Sequence, residues 1–122
     1  MKRPFSLPSL VLAGGVMVAA ASSALGAGLY DGRWSVNMRT DDGSCGSGRT
    51  VAVNVEEGRA TYAGSEQVTA TGTIPDSGRL SLRFSYGSDT LDARGAMRGG
   101  IGSGSWVSNG GCRGSWSAHK AG

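Results

Sequence analysis

Very few side chains in this sequence are equipped for chemistry. There is one histidine, His119, three residues from the end, and there are two cysteines, Cys45 and Cys112. A Ser-His-Asp relay needs its histidine held by a carboxylate. No spacing around His119 suggests one, so a solvated terminal side chain is expected. One histidine and two cysteines are too few for a transition-metal site. Asp41-Asp42-Gly43 has the look of the start of a calcium loop, but the ordered oxygen ligands that should follow are missing. Haem ligation by His119, Met38, Met97 or a tyrosine stays open, although both methionines read more simply as core filler. No catalytic residue, no metal site and no cofactor are therefore expected, and the chain does not read as an enzyme.

The two cysteines take their meaning from the start of the chain. Met1-Lys2-Arg3 is a basic n-region, Leu7 to Ala21 is apolar but broken by Pro8 and Gly14-Gly15, and Ala24-Leu25-Gly26 offers small residues for signal peptidase. Residues 1–26 read as a signal peptide and 27–122 as a single domain. No cysteine follows the cut at once, and there is no twin-arginine pair. The general secretion route to the periplasm or beyond is expected, without a lipid anchor. In that compartment Cys45 and Cys112 read as one disulfide. Lys2 and Arg3 leave with the signal, so ten basic residues face nine acidic ones, a net of +1. That balance predicts no nucleic-acid partner.

The elements that must carry these residues are strands. From Tyr30 to Thr40 the even positions Tyr30, Gly32, Trp34, Val36 and Met38 alternate with Asp31, Arg33, Ser35, Asn37 and Arg39. That period of two marks a half-buried strand. Further inward sets follow: Val51, Val53 and Val55; Ala60 and Tyr62; Val68, Ala70, Gly72 and Ile74; Leu80, Leu82, Phe84 and Tyr86; Leu91, Ala93 and Gly95. Turns are predicted at Glu57-Gly58, Pro75 to Gly78, Gly87 to Asp89 and Met97 to Gly100, with a type I′ hairpin at Asn109-Gly110. In the seventh strand, Ile101 to Val107, either face could turn inward; Trp106 is the favoured one. The eighth, Cys112 to His119, puts Cys112, Gly114, Trp116 and Ala118 on one face.

Three Gly-x-Trp units run through this pattern: Gly32-Arg33-Trp34, Gly104-Ser105-Trp106 and Gly114-Ser115-Trp116. Residues i and i+2 share a strand face, so each glycine lies beside its indole. In so thin a core these six residues are expected to be architectural. Eight short strands in a meander predict an all-β protein, an eight-stranded antiparallel up-and-down barrel, with a flattened meander sandwich as the alternative. Pairing of the first and last strands would make Cys45 and Cys112 neighbours. The outward faces lack an apolar band, so insertion into an outer membrane is not expected. A monomer is.

The same topology gathers the longer loops at the disulfide end, where Asp41, Asp42, Glu66 and Asp89 form a candidate binding rim. The competing reading is that these acids only cap turns and aid solubility.

Tyr30-Asp31-Gly32-Arg33-Trp34-Ser35-Val36, Gly43-Ser44-Cys45 and Cys112-Arg113-Gly114-Ser115-Trp116-Ser117-Ala118 resemble a family of short secreted alphaproteobacterial proteins of unknown function, some labelled haem utilization. More distantly, Gly-x-Trp on the first strand is similar to calycin-type barrels: lipocalins, avidins and small periplasmic protease inhibitors. The likeness implies a non-catalytic binding module for a small apolar ligand or a protein partner. The alternative is an inhibitor of a secreted or periplasmic hydrolase, a protease or a lysozyme.

Overall fold

The computed structural model describes residues 28–121. The expected signal peptide, 1–26, lies outside them. The strands are β1 (Gly32–Asp42), β2 (Gly48–Glu56), β3 (Arg59–Tyr62), β4 (Thr69–Thr71), β5 (Arg79–Tyr86), β6 (Asp89–Arg98), β7 (Ile101–Ser108) and β8 (Arg113–Lys120). They form one antiparallel sheet in the order β3-β2-β1-β8-β7-β6-β5-β4. Every neighbouring pair along the chain is laddered except β3 and β4, so the sheet is a nearly closed up-and-down barrel and not a sandwich.

The first and last strands do pair. Their ladder runs from Trp34↔Lys120 to Asp42↔Arg113, with a register shift between Thr40 and Asp42. It brings the start of β8 beside the end of β1, and the Cys45–Cys112 disulfide joins them with its Cα atoms 6.1 Å apart. The weak join lies elsewhere. Between β3 and β4 there is only the Arg59↔Thr73 bridge and a hydrogen bond from the Ile74 amide to the Gly58 carbonyl, 2.7 Å. Both contacts sit at the end of the barrel opposite the disulfide, so toward the disulfide end these strand edges are free.

Three expected elements differ. The fourth strand covers Thr69–Thr71 and not Val68 to Ile74, because Gly72 takes φ 116° and bends the chain away. Met97 is not in a turn: β6 continues through Arg98, and Met97 is buried on its inner face. Asn109-Gly110 is not a two-residue type I′ turn. Gly111, at φ 90°, adds a third residue, and the Ser108 amide donates to the Cys112 carbonyl across it. Asn109 spends its side chain on the neighbouring turn instead. Its Oδ1 accepts from the Thr90 amide at 3.0 Å and its Nδ2 donates to the Ser88 carbonyl at 2.8 Å.

Inside and outside follow the alternation. On β7, Trp106 is 5% exposed while Ile101 and Val107 are 63% and 50% exposed. The reason is on the inner faces of β6 and β7, where Gly95, Gly102 and Gly104 leave room for an indole. That indole is Trp116, from β8. An added Cβ would lie 2.7 Å from its Cζ2 at Gly95, 2.7 Å from its Nε1 at Gly104 and 3.3 Å from its Cζ3 at Gly102. Three separated ring atoms against three glycines mean that the ring lies flat on the wall. Trp116 Nε1 donates to the Arg94 carbonyl at 3.1 Å, and Trp106 Nε1 to the Ser115 carbonyl at 3.2 Å. The glycine beneath an indole is thus supplied by neighbouring strands. On the outer face of the described residues, Arg83 and Asp92 form a two-pronged pair across β5 and β6 at 2.7 and 3.0 Å.

Candidate ligand-binding site

Because the indoles lie along the wall, they do not fill the barrel. A cavity of about 430 Å³ runs down its middle, lined on β1 from Trp34 to Thr40 and on β5 from Leu80 to Tyr86. This falls in the range of roughly 300–1,000 Å³ typical of small-molecule sites. Six strand residues at about 3.3 Å each, tilted as strands in a barrel are, give a depth of about 15 Å. Trp34, Trp106 and Trp116 all border it.

The narrow end is closed by the segment before β1. Tyr30 reaches across to β6, where its hydroxyl donates to the Met97 carbonyl at 3.2 Å. Its own carbonyl accepts from Trp34 Nε1 at 2.8 Å. A Cβ at Gly78 would collide with the Met97 carbonyl oxygen and lie 3.0 Å from the Tyr30 hydroxyl, so only glycine fits there. Asp31 ties this floor to the β2–β3 turn. Its carboxylate accepts from the amides of Glu57 (2.8 Å), Gly58 (3.1 Å) and Gly28 (3.2 Å). The Glu57 amide above all holds its carboxyl below its ordinary value, with the Gly58 and Gly28 amides adding to the effect and burial opposing it. Glu57 itself sits at φ 53°, a conformation a side-chain residue rarely takes.

The wide end is open, at the disulfide. Strand directions place Asp41, Asp42, Glu66 and Asp89 around it. Two of these acids are paired with arginines on the outside of the rim: Asp41 with Arg39 at 3.4 Å and Asp42 with Arg113 at 3.3 Å. Of the four, only Glu66 borders the cavity. It does so together with two residues that the sequence reading left out of the rim, Arg49 and Tyr62. Arg49 Nη2 donates to the Tyr62 hydroxyl at 3.2 Å, which donates to Glu66 Oε1 at 2.8 Å. Arg49 Nη2 stands 3.9 Å from Glu66 Oε2. The shared hydrogen bond pushes the Tyr62 hydroxyl up and the Glu66 carboxyl down. Parity was the signal that could have found them: Arg49 continues the inward set Val51, Val53, Val55, and Tyr62 faces in with Ala60. Tyr86, also of inward parity, is 54% exposed yet lines the mouth.

The other candidates fall outside the cavity or line it without a partner. His119 is exposed on the outer face of β8. Met38 and Met97 line the cavity on β1 and β6, and the phenols of Tyr62 and Tyr86 border it as well, whereas His119 does not. No group of three or more metal-ligating side chains occurs among the described residues, and no helix there is long and apolar enough to cross a membrane.

Chemically, the site offers an apolar tube with one polar spot at its mouth. Among the described residues no polar or charged side chain is buried, and the charged groups that border the cavity, Arg49 and Glu66, stand at its mouth. Comparison with protein-family models and with curated proteins finds no match to this chain.

Proposed function

We propose that this protein is a non-catalytic binding module of the periplasm or the extracellular space, which holds one small apolar ligand inside its barrel. The observation that supports this is the cavity of about 430 Å³, walled by indoles and aliphatic side chains, with Arg49, Tyr62 and Glu66 at the disulfide rim. An eight-stranded barrel is just wide enough to be filled by its own side chains or to hold one small ligand. Glycine and alanine on the inner faces of β6 to β8 leave it hollow. The likeness to calycin-type barrels and to the short secreted alphaproteobacterial proteins belongs to this same reading.

The test is titration of the purified protein with dodecanol, followed by tryptophan fluorescence. With three indoles on the cavity wall, saturable quenching or a blue shift is expected. Ala93, 8% exposed and facing the cavity, is the place to block it. Ala93→Phe should remove the response while leaving the fold intact by circular dichroism. A silent titration, joined to slowed turnover of a secreted protease or lysozyme, would replace this reading with the inhibitor one.

A further inference from the structure

Among the described residues Arg49 and Glu66 are the only charged side chains that border the cavity, and they do so at the mouth. The two are anchored very differently. Arg49 stands on β2, where its register partner is Met38 in the long ladder with β1. Glu66 lies in the connection between β3 and β4, the two strands whose edges are free at this end. Within that connection its amide neighbours offer one bond, from the Val68 amide to the Glu66 carbonyl at 3.0 Å. Tyr62 ends β3, and a Cβ at Gly64 would collide with its ring, so the ring packs directly on the backbone at the start of the connection. A guanidinium and a phenol, both borne on strands, converge on one carboxylate that comes from a loop. A carboxylate is what such a pair of donors recognises.

We propose that Arg49 and Tyr62 form a carboxylate receptor at the mouth, filled in the free protein by Glu66, and that the ligand is an apolar chain ending in a carboxylate that displaces Glu66. The apolar tail lies in the tube, and its head takes the hydrogen bond from Tyr62 and the charge of Arg49. Glu66 moves out to water, which costs little because its side chain is already 45% exposed. With Glu66 released, the β3–β4 connection stays tied to β2 only at its start, by the Ala63 amide on the Ala52 carbonyl at 2.9 Å, and the seam widens at the mouth. Glu66 thus acts as a built-in competitor that sets a threshold for the ligand and selects against chains without an anionic head. The opposite polarity, a cationic head on Glu66, would have to displace the group that the strands hold.

This inference rests on the cavity-binding reading, and the experiment separates the two. Dodecanoate, dodecanol and dodecylamine are titrated into the wild-type protein, Arg49→Gln and Glu66→Gln, with tryptophan fluorescence as readout. Wild type should bind dodecanoate more tightly than dodecanol. Glu66→Gln should tighten dodecanoate about tenfold, and Arg49→Gln should weaken it about tenfold, the worth of one charge-assisted contact at a partly wet site. Dodecanol should be indifferent to both substitutions, which also shows that the variants are folded. Added salt should weaken dodecanoate alone. If dodecanol binds as tightly as dodecanoate, or Glu66→Gln fails to tighten dodecanoate, the receptor is refuted while the cavity reading stands. Preferential binding of dodecylamine that is lost in Glu66→Gln refutes it in favour of a cationic ligand. If none of the three binds wild type, the cavity reading falls and takes this inference with it.

Discussion

Asp31 is the best single probe of how the barrel is closed. Its carboxylate collects three backbone amides, from Glu57 at 2.8 Å, Gly58 at 3.1 Å and Gly28 at 3.2 Å. Two of these belong to the β2–β3 turn, whose residues both have positive φ. Hydrogen bonds to a charged acceptor contribute roughly 1.5–3 kcal/mol each when well buried. Asp31 is only partly buried, and the three bonds share one carboxylate, so a sum is not warranted. About 2 kcal/mol is the expected loss for Asp31→Ala, and about half that for Asp31→Asn, which keeps one oxygen but not the charge. The loss should also depend on pH. Asp31 has its folded-state pKa lowered, so the native protein binds fewer protons and stability rises with pH. The contribution is complete above the unfolded carboxyl value of about 3.9 and is lost as pH falls through the lower folded value. Urea unfolding of wild type and Asp31→Asn should therefore show a gap that is constant from about pH 5 upward and closes below about pH 4. A gap that persists unchanged to pH 2, or is absent at pH 7, would refute the clip.

Two further losses follow from the wall. Trp34, 1% exposed and packed on the floor, should cost about 3–5 kcal/mol as Trp34→Ala. Trp116→Ala should fall in the lower half of that range, because one face of its ring meets glycine backbone and the other meets the cavity; urea melts of the two variants side by side would show it. Cys45 and Cys112 close a loop with a sequence separation of 67, so the double serine variant should lose about 4 kcal/mol in the chain-entropy picture. A loss under 1 kcal/mol in the same melts would mean that the β1–β8 ladder already does the work of the disulfide.

What the sequence made legible was whatever depends on period two. The inward sets Val51-Val53-Val55 and Leu80-Leu82-Phe84, the pairing of β1 with β8 and the placing of Cys45 beside Cys112 all follow from alternation and strand direction. Hidden from it was whatever depends on how a side chain lies once inside. Trp116 could have crossed the barrel or lain along it, and only the glycines of two other strands, Gly95, Gly102 and Gly104, decide between them. Of these only Gly104 belongs to a Gly-x-Trp unit, and there it lies against the indole of another strand. The weak β3–β4 join was equally invisible, since Gly72 was counted as an inward strand residue when its positive φ ends β4 early. The mouth triad was missed for a simpler reason. Acidic composition marks a rim but not which of its side chains face inward, whereas parity, carried by Tyr62 on β3 and extended to Arg49 on β2, is what aims those two at the cavity.

The hollow interior bears on function through its energetic cost. Cavities left in cores cost about 24 cal/mol per Å³ when they cannot collapse. The space here, about 430 Å³, opens at the mouth, so its cost is smaller than that of a sealed cavity and falls on a lining left short of contacts. Water admitted there finds few partners on the apolar wall. The void could be reduced from the sequence side at Ala93 and Ala118, which border it, but not at Gly95 or Gly104, where a Cβ would collide with the backbone of the facing strand. Packing such a void is among the commonest ways to stabilise a protein. A chain that needed only to fold would gain from doing so. This one instead spreads its apolar groups thinly over the wall and closes the floor with Tyr30 and Asp31. The far end is pinned with a disulfide, and the tube is left open beside its one arginine-facing mouth. On the reading proposed above, an apolar guest with a polar head would supply on binding the contacts that the core lacks.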